Sequence, residues 1–283
     1  MTLNPDRFLS VRNLKAEPAK AIAILEKADV ALLYRATLAV QNKLIIGGTI
    51  RYLKGRPEWR RAVDVLDLGC GPGDLVVHLC RNFPGKRYTG VDRDRDFIAI
   101  AESQFKSLPD CRAVAADLYE FDRGRYDFIL LRAVLQHLKE PGRLMVRLPD
   151  LLRAGGHVLF LDTTRENFIE ASPAIAAFND FYARMEAVQK HHTGSRDCMA
   201  ELEARLPGTG FRVVESSGPR TAVTAAGPRR KVVQYLLLAC AIGARMMALP
   251  LDFDALAADL IHWHDTPDSS LILKSRLLLL ARA

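Results

Sequence analysis

The chain has 283 residues, 49% of them hydrophobic and 26% charged, and a formal net charge of +7. This balance is typical of a globular protein that buries its core without disulfide or metal staples. The five cysteines are scattered without a Cys-x-x-Cys pair, which argues against a metal site and fits a reduced, cytoplasmic compartment. The lysines and arginines are spread along the chain, which argues against a nucleic-acid partner.

The N-terminus shows no basic segment followed by an apolar stretch, so we expect no secretory signal. Residues 232–249 form the one apolar stretch that approaches a membrane span. They include Gln234 and Arg245, and an arginine at the centre of a spanning helix costs about 2.5–3.5 kcal/mol. We therefore expect a buried helix, or a helix at the interface of a homodimer, and no membrane partner.

Residues 1–60 have the pattern of a helical region. Pro18 opens a segment in which Ile22, Leu25 and Leu33 recur at helical spacing, and proline is tolerated in a first helical turn. A second helix is predicted over 38–53, with a hinge at its paired glycines, 47 and 48.

From residue 63 short apolar strands alternate with amphipathic helices. The predicted strands are 63–68, 87–91, 111–115, 126–131, 156–161, 211–215 and 275–280, with helices over 73–82, 95–107 and 142–152 and helical insertions at about 162–205 and 229–263. This order predicts an α/β fold with a doubly wound, mainly parallel seven-stranded sheet. In such sheets the ligand binds at the carboxyl ends of the strands, where Asp67, Asp92, Asp117 and Leu131 fall.

A glycine-rich turn follows the first predicted strand, with Gly69, Gly71 and Gly73 at alternate positions. A dinucleotide fingerprint needs a third glycine where Asp74 stands, and an acidic side chain there would repel a pyrophosphate, so NAD is the weaker interpretation. Asp92, at the end of the second strand, can accept hydrogen bonds from both hydroxyls of a ribose. The spacing predicts a nucleotide-like cofactor with an unphosphorylated ribose.

Five segments in this order resemble the class I S-adenosylmethionine-dependent methyltransferases: 65–75 (VLDLGCGPGDL), 90–92, 115–118, 126–131 and 151–160. The resemblance covers about 63–162 and implies a Rossmann-like fold with S-adenosyl-L-methionine as cofactor. In families of this kind the N-terminal helices often fold over the cofactor as a lid, so 1–60 are expected to form such a lid or, alternatively, a helical layer packed on the sheet edge. The methyltransferase domain is expected over 61–283.

The same resemblance implies which residues bind the cofactor. Asp67 is expected at its amino acid moiety, and Asp117 near the adenine amino group. The full predicted set is Asp67, Gly69, Gly71, Gly73, Asp92, Arg93, Asp117, Leu118 and Leu131.

Three histidines are candidate catalytic groups. His137 follows the fourth strand, near the expected position of the methyl group, and histidine titrates in the range useful for acid–base chemistry. In the resembling families a histidine here often has a structural role instead. His191 and His192 lie in the first insertion, where substrate-facing residues are common in related enzymes. Weaker candidates for the acceptor pocket are Arg132, Asn179, Tyr182, Glu186, His262, Trp263 and His264.

These features predict a biosynthetic enzyme that transfers a methyl group to an oxygen or nitrogen atom of a small-molecule metabolite. No Asn-Pro-Pro-Tyr motif follows the fourth strand, which argues against methylation of exocyclic amino groups on bases. Three alternatives stay open: an RNA methyltransferase, suggested by the isoelectric point of 9.3; a regulatory protein that binds the cofactor or S-adenosylhomocysteine without turnover; and a transferase of an aminopropyl or carboxypropyl group.

Overall fold

The computed structural model describes residues 4–163, 169–192 and 194–283, without the side chains of 189–192. These residues form two compact units. Within the described ranges, the first comprises 4–45, 169–192 and 220–273, and the second comprises 46–163, 194–219 and 274–283. The domain boundary predicted at residue 60, and the role of the N-terminal helices as a lid, stay predictions.

The described residues contain ten strands and twelve helices. Strands β1 to β10 are Asp64–Leu68, Arg87–Asp92, Cys111–Ala115, Tyr126–Arg132, Leu152–Asp162, Ile169–Ser172, Phe211–Ser217, Arg220–Val223, Ser270–Lys274 and Arg276–Arg282. Helices α1 to α12 are Pro5–Phe8, Val11–Ala16, Pro18–Lys27, Val30–Lys54, Pro57–Arg61, Asp74–Asn82, Arg95–Phe105, Gly142–Leu151, Ala176–His192, Cys198–Ala204, Ala226–Met247 and Phe253–Asp265. A single 3-10 turn, Leu135–His137, follows β4.

The second unit is built on a seven-stranded sheet in the order β3-β2-β1-β4-β5-β10-β7. Only β10 runs antiparallel to its neighbours, β5 and β7. The predicted seven-stranded, mainly parallel sheet is therefore confirmed. Asp67 lies opposite Gly90 of β2 and Leu130 of β4, so the carboxyl ends of three strands meet at one edge.

Both faces of this sheet are buried, as the apolar strands require. Leu66 and Leu131 contribute to the hydrophobic cluster on one face. Val65 and Phe128 contribute to the cluster on the other face, where the Trp59 and Phe128 rings meet edge to face. Because side chains alternate along a strand, continuous apolar sequences such as that of β4 fill both layers.

The first unit is mainly helical and has a small three-stranded sheet in the order β6-β9-β8. Its core contains Phe181, Leu236 and Trp263, all fully buried. The Trp263 indole N–H donates to the backbone oxygen of Ser270 at 3.2 Å. The amide of Gln234 donates to the backbone oxygen of Pro5 at 3.0 Å, which satisfies a polar group inside the buried helix α11. Among the described residues, no helix has both the length and the apolar character that crossing a bilayer requires.

The structure corrects three expectations about local elements. The helix predicted over 38–53 is part of one continuous helix that begins at Val30, and the paired glycines do not interrupt it. The predicted helix 142–152 ends at Leu151, and β5 begins at once, four residues before its predicted start. The small sheet of the first unit was not predicted, because its three short strands are far apart in sequence.

Candidate active site

The glycine-rich loop connects β1 to α6 and is tied to the end of β2. The backbone amides of Gly69 and Cys70 both donate to the Val91 carbonyl, at 2.8 and 3.0 Å. All three glycines have positive φ: 78° at Gly69, 54° at Gly71 and 86° at Gly73. Glycine adopts this conformation without the steric cost that a Cβ would add.

Two of these glycines are also required for close packing. A Cβ on Gly69 would lie 2.5 Å from Cγ2 of Val134, in the turn that follows β4. A Cβ on Gly73 would lie 2.8 Å from Cζ of Phe105, at the end of α7. The loop is therefore enclosed by the turn after β4 and by α7.

Asp92 lies at the end of β2 with a half-buried side chain. Its Oδ2 accepts a hydrogen bond from the amide of Gly71 at 2.9 Å, and its Oδ1 accepts one from the amide of Asp94 at 3.0 Å. A carboxylate has about four acceptor positions, so each oxygen keeps a lone pair for a ligand hydroxyl. Arg93, the next residue, is exposed beside it.

Asp67 is a buried carboxylate, 3% exposed, near the end of β1. Burial raises its pKa to about 7; the positive charge of Arg132 opposes this shift, and the negative charge of Asp92 adds to it. Arg132 ends β4. Burial lowers the pKa of its guanidinium, and the negative charges of Asp67 and Asp74 oppose this shift. The Asp67 carboxylate and the Arg132 guanidinium thus lie close together at the start of the glycine loop, an arrangement that suits a zwitterionic amino acid group.

Asp117 follows β3 and begins a tight turn. Its Oδ1 accepts a hydrogen bond from the amide of Tyr119 at 2.8 Å, and its side chain is half-buried. The preceding amide, that of Ala116, donates to the Asp92 carbonyl at 3.0 Å. Ala116 thus makes the last hydrogen bond between the segments of β2 and β3, and Asp117 is the next residue. Leu118 packs on the cluster beneath the sheet edge, and Leu131 is buried within β4.

His137 ends the 3-10 turn after β4 and reaches solvent. Atoms packed around the imidazole exclude water from it, and this desolvation lowers its pKa to about 4. The positive charges of Arg196 and Arg93 contribute to the same shift. The imidazole is therefore neutral near pH 7. It can accept a proton or a hydrogen bond there, but only as a weak base.

The other predicted acceptor-site residues belong to the first unit. His191 and His192 end helix α9, and their side chains lie outside the described residues. On the same helix Asn179 is exposed, while Tyr182 stacks on Phe178 with 5.5 Å between ring centroids. Glu186, on the same helix, is half-buried. His262 and His264 flank the buried Trp263 on α12. In the part of the chain that the structure describes, no cluster of three or more histidine, cysteine or acidic side chains could hold a metal ion.

The structure adds three residues to this region that the sequence motifs did not assign to the cofactor site. They are Arg132 beside Asp67, Val134 over Gly69, and Asp162, whose carboxylate accepts the amide of Leu135 at 2.7 Å. Arg132 stands directly after an apolar strand, which is a usable sequence signal. A lone aspartate such as Asp162 gives no such signal.

Comparisons with known proteins agree with this geometry. A family model described as a methyltransferase domain matches residues 66–158. The chain is 29% identical over 156 residues to a trans-aconitate 2-methyltransferase of Deinococcus radiodurans, covering 55% of this chain and 47% of that protein. It is 29% identical over 111 residues to a malonyl-[acyl-carrier protein] O-methyltransferase of Halalkalibacterium halodurans, covering 38% of this chain and 41% of that protein.

The alignments thus span less than half the length of each of these two relatives. Among solved structures, a coclaurine N-methyltransferase bound to N-methylheliamine and SAH superposes with a TM-score of 0.51. It has 12% sequence identity, and the match covers 84% of this chain and 71% of that one, so it shows a shared fold alone. The motifs, the strand order and the family-model match agree in identifying residues 66–158 as a methyltransferase domain.

Proposed function

We propose that this protein transfers a methyl group from S-adenosylmethionine to an oxygen or nitrogen atom of a small-molecule acceptor. The observation that carries the proposal is the joint arrangement of Asp92 and the glycine loop. One carboxylate oxygen fixes the loop through Gly71, and both oxygens keep acceptor capacity toward the sheet edge. A ribose with two free hydroxyls complements such a carboxylate.

The neighbouring residues fit the rest of this cofactor. Asp67 offers a carboxylate for an ammonium group, and Arg132 offers a guanidinium for a carboxylate, so together they complement an amino acid moiety. Asp117 keeps one carboxylate oxygen beyond its bond to Tyr119 and can accept the adenine amino group. S-adenosylmethionine, when bound, supplies an electrophilic methyl group. The chain's own residues hold and orient the cofactor beside the acceptor, and such positioning supplies much of the rate in a displacement reaction.

Of the two kinds of acceptor atom, we favour an oxygen atom of an anionic molecule. The two relatives named above act on trans-aconitate, an acid, and on a malonyl group. In this chain desolvation, and after it the positive charges of Arg196 and Arg93, lower the pKa of His137, so two cationic side chains lie near the 3-10 turn. A carboxylate acceptor would be attracted to that potential. Its attacking oxygen carries no proton, so its methylation requires no general base.

His137 has a different role for each kind of acceptor. Toward a carboxylate, its neutral ring can donate a hydrogen bond that orients the acceptor. Toward a hydroxyl or protonated amine, the ring can accept the proton that the acceptor loses. A pKa of about 4 makes it a weak base, which fits the first role better.

Two measurements test the proposal. Isothermal titration of S-adenosylmethionine and S-adenosylhomocysteine should show saturable one-to-one binding. A transfer assay with radiolabelled methyl donor should then show labelled product and an equal amount of S-adenosylhomocysteine. Trans-aconitate and malonyl-[acyl-carrier protein] serve as acidic probes, and sarcosine serves as an amine probe.

Each outcome has a defined meaning. Label transferred to the acidic probes would support an anionic oxygen acceptor. Label found on the nitrogen atom of sarcosine, and on neither acidic probe, would favour nitrogen. Cofactor binding without transfer to any acceptor would instead favour a regulatory binding protein. If neither S-adenosylmethionine nor S-adenosylhomocysteine binds, the cofactor assignment is wrong.

A further inference from the structure

Asp162, the last residue of β5, is a buried carboxylate that is surrounded by backbone amides. Its side chain is 3% exposed. Its Oδ2 accepts a hydrogen bond from the amide of Leu135 at 2.7 Å, and its Oδ1 accepts one from the amide of Thr163 at 2.8 Å. The amides of Val134 and Gln136 also stabilise its negative charge. Three of these four amides belong to the turn that follows β4.

These three amides are the ones that most need a partner. The first N–H groups of any helical turn have no acceptor within the turn itself. Here they are the N–H groups of Val134, Leu135 and Gln136, at the start of the 3-10 turn. A buried N–H without a partner is unfavourable, and a charged acceptor forms the stronger hydrogen bond. The Asp162 carboxylate therefore fixes the conformation of this turn.

The turn that Asp162 holds has an unusual backbone and close neighbours. Ala133 has a φ of 57°, a left-handed conformation that is costly for a residue with a Cβ. The amide of Ala133 donates to the Leu161 carbonyl at 2.9 Å. On one side of the turn, the Val134 side chain fills the space that a Cβ on Gly69 would need. On another side Gly194 packs so closely that a Cβ there would lie 2.1 Å from the Gln136 carbonyl oxygen.

We propose that Asp162 is a positioning residue of the cofactor site. By holding residues 133–137, it seats Val134 against Gly69 and keeps the glycine loop in the conformation that binds S-adenosylmethionine. Asp162 acts through Val134 and the loop rather than by touching the cofactor. The inference rests on the proposed function, because it takes S-adenosylmethionine as the ligand of the loop.

Asp127 provides a matched control at the opposite edge of the same sheet. Its Oδ2 also accepts two backbone amides, those of Val63 and Asp64, both at 2.8 Å. It lies at the start of β4, whereas the turn that Asp162 holds follows the end of that strand. Replacing either aspartate by asparagine keeps the size of the side chain and removes one carboxylate oxygen. Asp127 also forms an ion pair with Arg153 at 2.9 Å. Each change therefore removes polar contacts of a buried or half-buried carboxylate, but we expect only Asp162→Asn to affect the cofactor site.

The test measures thermal unfolding and S-adenosylhomocysteine binding for Asp162→Asn and Asp127→Asn. Both variants should unfold at lower temperature than the wild type. Asp162→Asn should also weaken S-adenosylhomocysteine binding about tenfold, since it leaves amides of the turn without their acceptor. Asp127→Asn should bind like the wild type. Hydrogen exchange at Leu135 should accelerate in Asp162→Asn alone.

Val134→Ala gives a second test that leaves the carboxylate and its amides in place. It should weaken S-adenosylhomocysteine binding, and in the double variant with Asp162→Asn the two losses should not add. If Asp162→Asn does not fold, the Val134→Ala result decides, and unchanged binding there overturns the inference.

Two other results would also contradict it. They are wild-type affinity in Asp162→Asn, and equal losses of affinity in Asp162→Asn and Asp127→Asn. Failure of the wild type to bind S-adenosylhomocysteine would instead refute the proposed function, and this inference with it.

Discussion

The Oδ2 atom of Asp92 accepts a hydrogen bond from the amide of Gly71 at 2.9 Å, although 21 residues separate the two in sequence. The contact joins the end of β2 to the loop after β1. The loop and the carboxylate thus form one preorganised site before any ligand arrives, which reduces the ordering cost of binding.

Replacement of Asp92 by alanine should abolish tight cofactor binding. The variant loses charge-assisted hydrogen bonds to the ribose and the acceptor for the Gly71 amide. We expect S-adenosylhomocysteine binding to weaken by roughly 2–4 kcal/mol, measured by isothermal titration. Asp94→Ala is the control, because Asp94 caps α7 by accepting the amides of Asp96 and Phe97. It should cost about 1 kcal/mol of stability and leave affinity unchanged. Equal affinity in the two variants would remove Asp92 from the ribose site.

Asp117 should distinguish adenine from a purine that lacks the amino group. If its free carboxylate oxygen accepts the adenine amino group, Asp117→Ala weakens S-adenosylhomocysteine binding by roughly 1–3 kcal/mol. The wild type should prefer this ligand to S-inosylhomocysteine, which carries oxygen in place of the amino group, and Asp117→Ala should lose that preference. Asp122, exposed and nearby in sequence, gives the control variant Asp122→Ala. A preference that survives in Asp117→Ala would place the adenine elsewhere.

The sheet could be predicted from the sequence because its signals are local. The run 65–68 is apolar apart from Asp67 and is followed by a glycine turn, and β1 begins one residue from its predicted start. The strand Cys111–Ala115 also has its predicted bounds. The start of α4 at Val30 was not predicted, and neither was its continuity through the paired glycines, where a hinge was expected. Helical propensity marks them as a break, but Ile46 and Leu53 on either side are buried, and tertiary packing outweighs that propensity.

The candidate cofactor residues could be proposed from the sequence for a similar reason, because a glycine loop and strand-end carboxylates form a pattern along the chain. The role proposed for Asp162 could not be predicted from the sequence, because it depends on which strand lies beside β5. Arg132 pairs with Leu161 across the two strands, and that register places Asp162 next to the turn after β4. Neither the neighbour nor the register can be obtained from residue spacing within one strand.

Gly69→Ala should reduce cofactor binding more than backbone strain alone explains. A left-handed conformation costs a residue with a Cβ roughly 1–2 kcal/mol. Gly85 isolates this cost, because its φ is 83° and no atom lies within 4 Å of a Cβ placed there. Gly85→Ala should therefore lower stability without changing affinity. Gly69→Ala adds the overlap with Val134, so it should lower both, and Val134→Ala in the same chain should partly restore stability. Identical effects of the two glycine variants would show that packing against Val134 is unimportant.

His137 should titrate near pH 4 rather than near 6.5. Desolvation opposes the charged ring, and so do Arg196 and Arg93. Because the pKa is lower in the folded state, this group contributes stability that is present above pH 6.5 and is lost as the pH falls through 4. The ring proton shifts of the histidines, followed by NMR against pH and assigned with His137→Gln, test the expectation. A midpoint near 6.5 would restore His137 as an ordinary general base.

Asp67 should make cofactor affinity depend on pH around neutrality. Burial raises its pKa to about 7, above the ordinary value of 3.8. This group alone therefore stabilises the fold fully below pH 3.8, and that contribution is lost as the pH rises through 7. An ammonium group bound beside it favours the ionised form, so binding releases a proton.

Affinity for S-adenosylhomocysteine should consequently increase by roughly tenfold between pH 6 and 7.5. Over this range the ligand's own α-amino group stays charged, because the carboxylate beside it keeps its pKa above that of a peptide N-terminus. Titrations in two buffers of different ionisation enthalpy would count the released proton. Asp67→Asn should bind more weakly, and above pH 6.5 its affinity should no longer change with pH. Burial raises the pKa of Asp162 to about 6, so its titration accounts for any change of affinity with pH that persists below pH 6.5. An unchanged pH profile in Asp67→Asn would mean that Asp67 does not face the ammonium group.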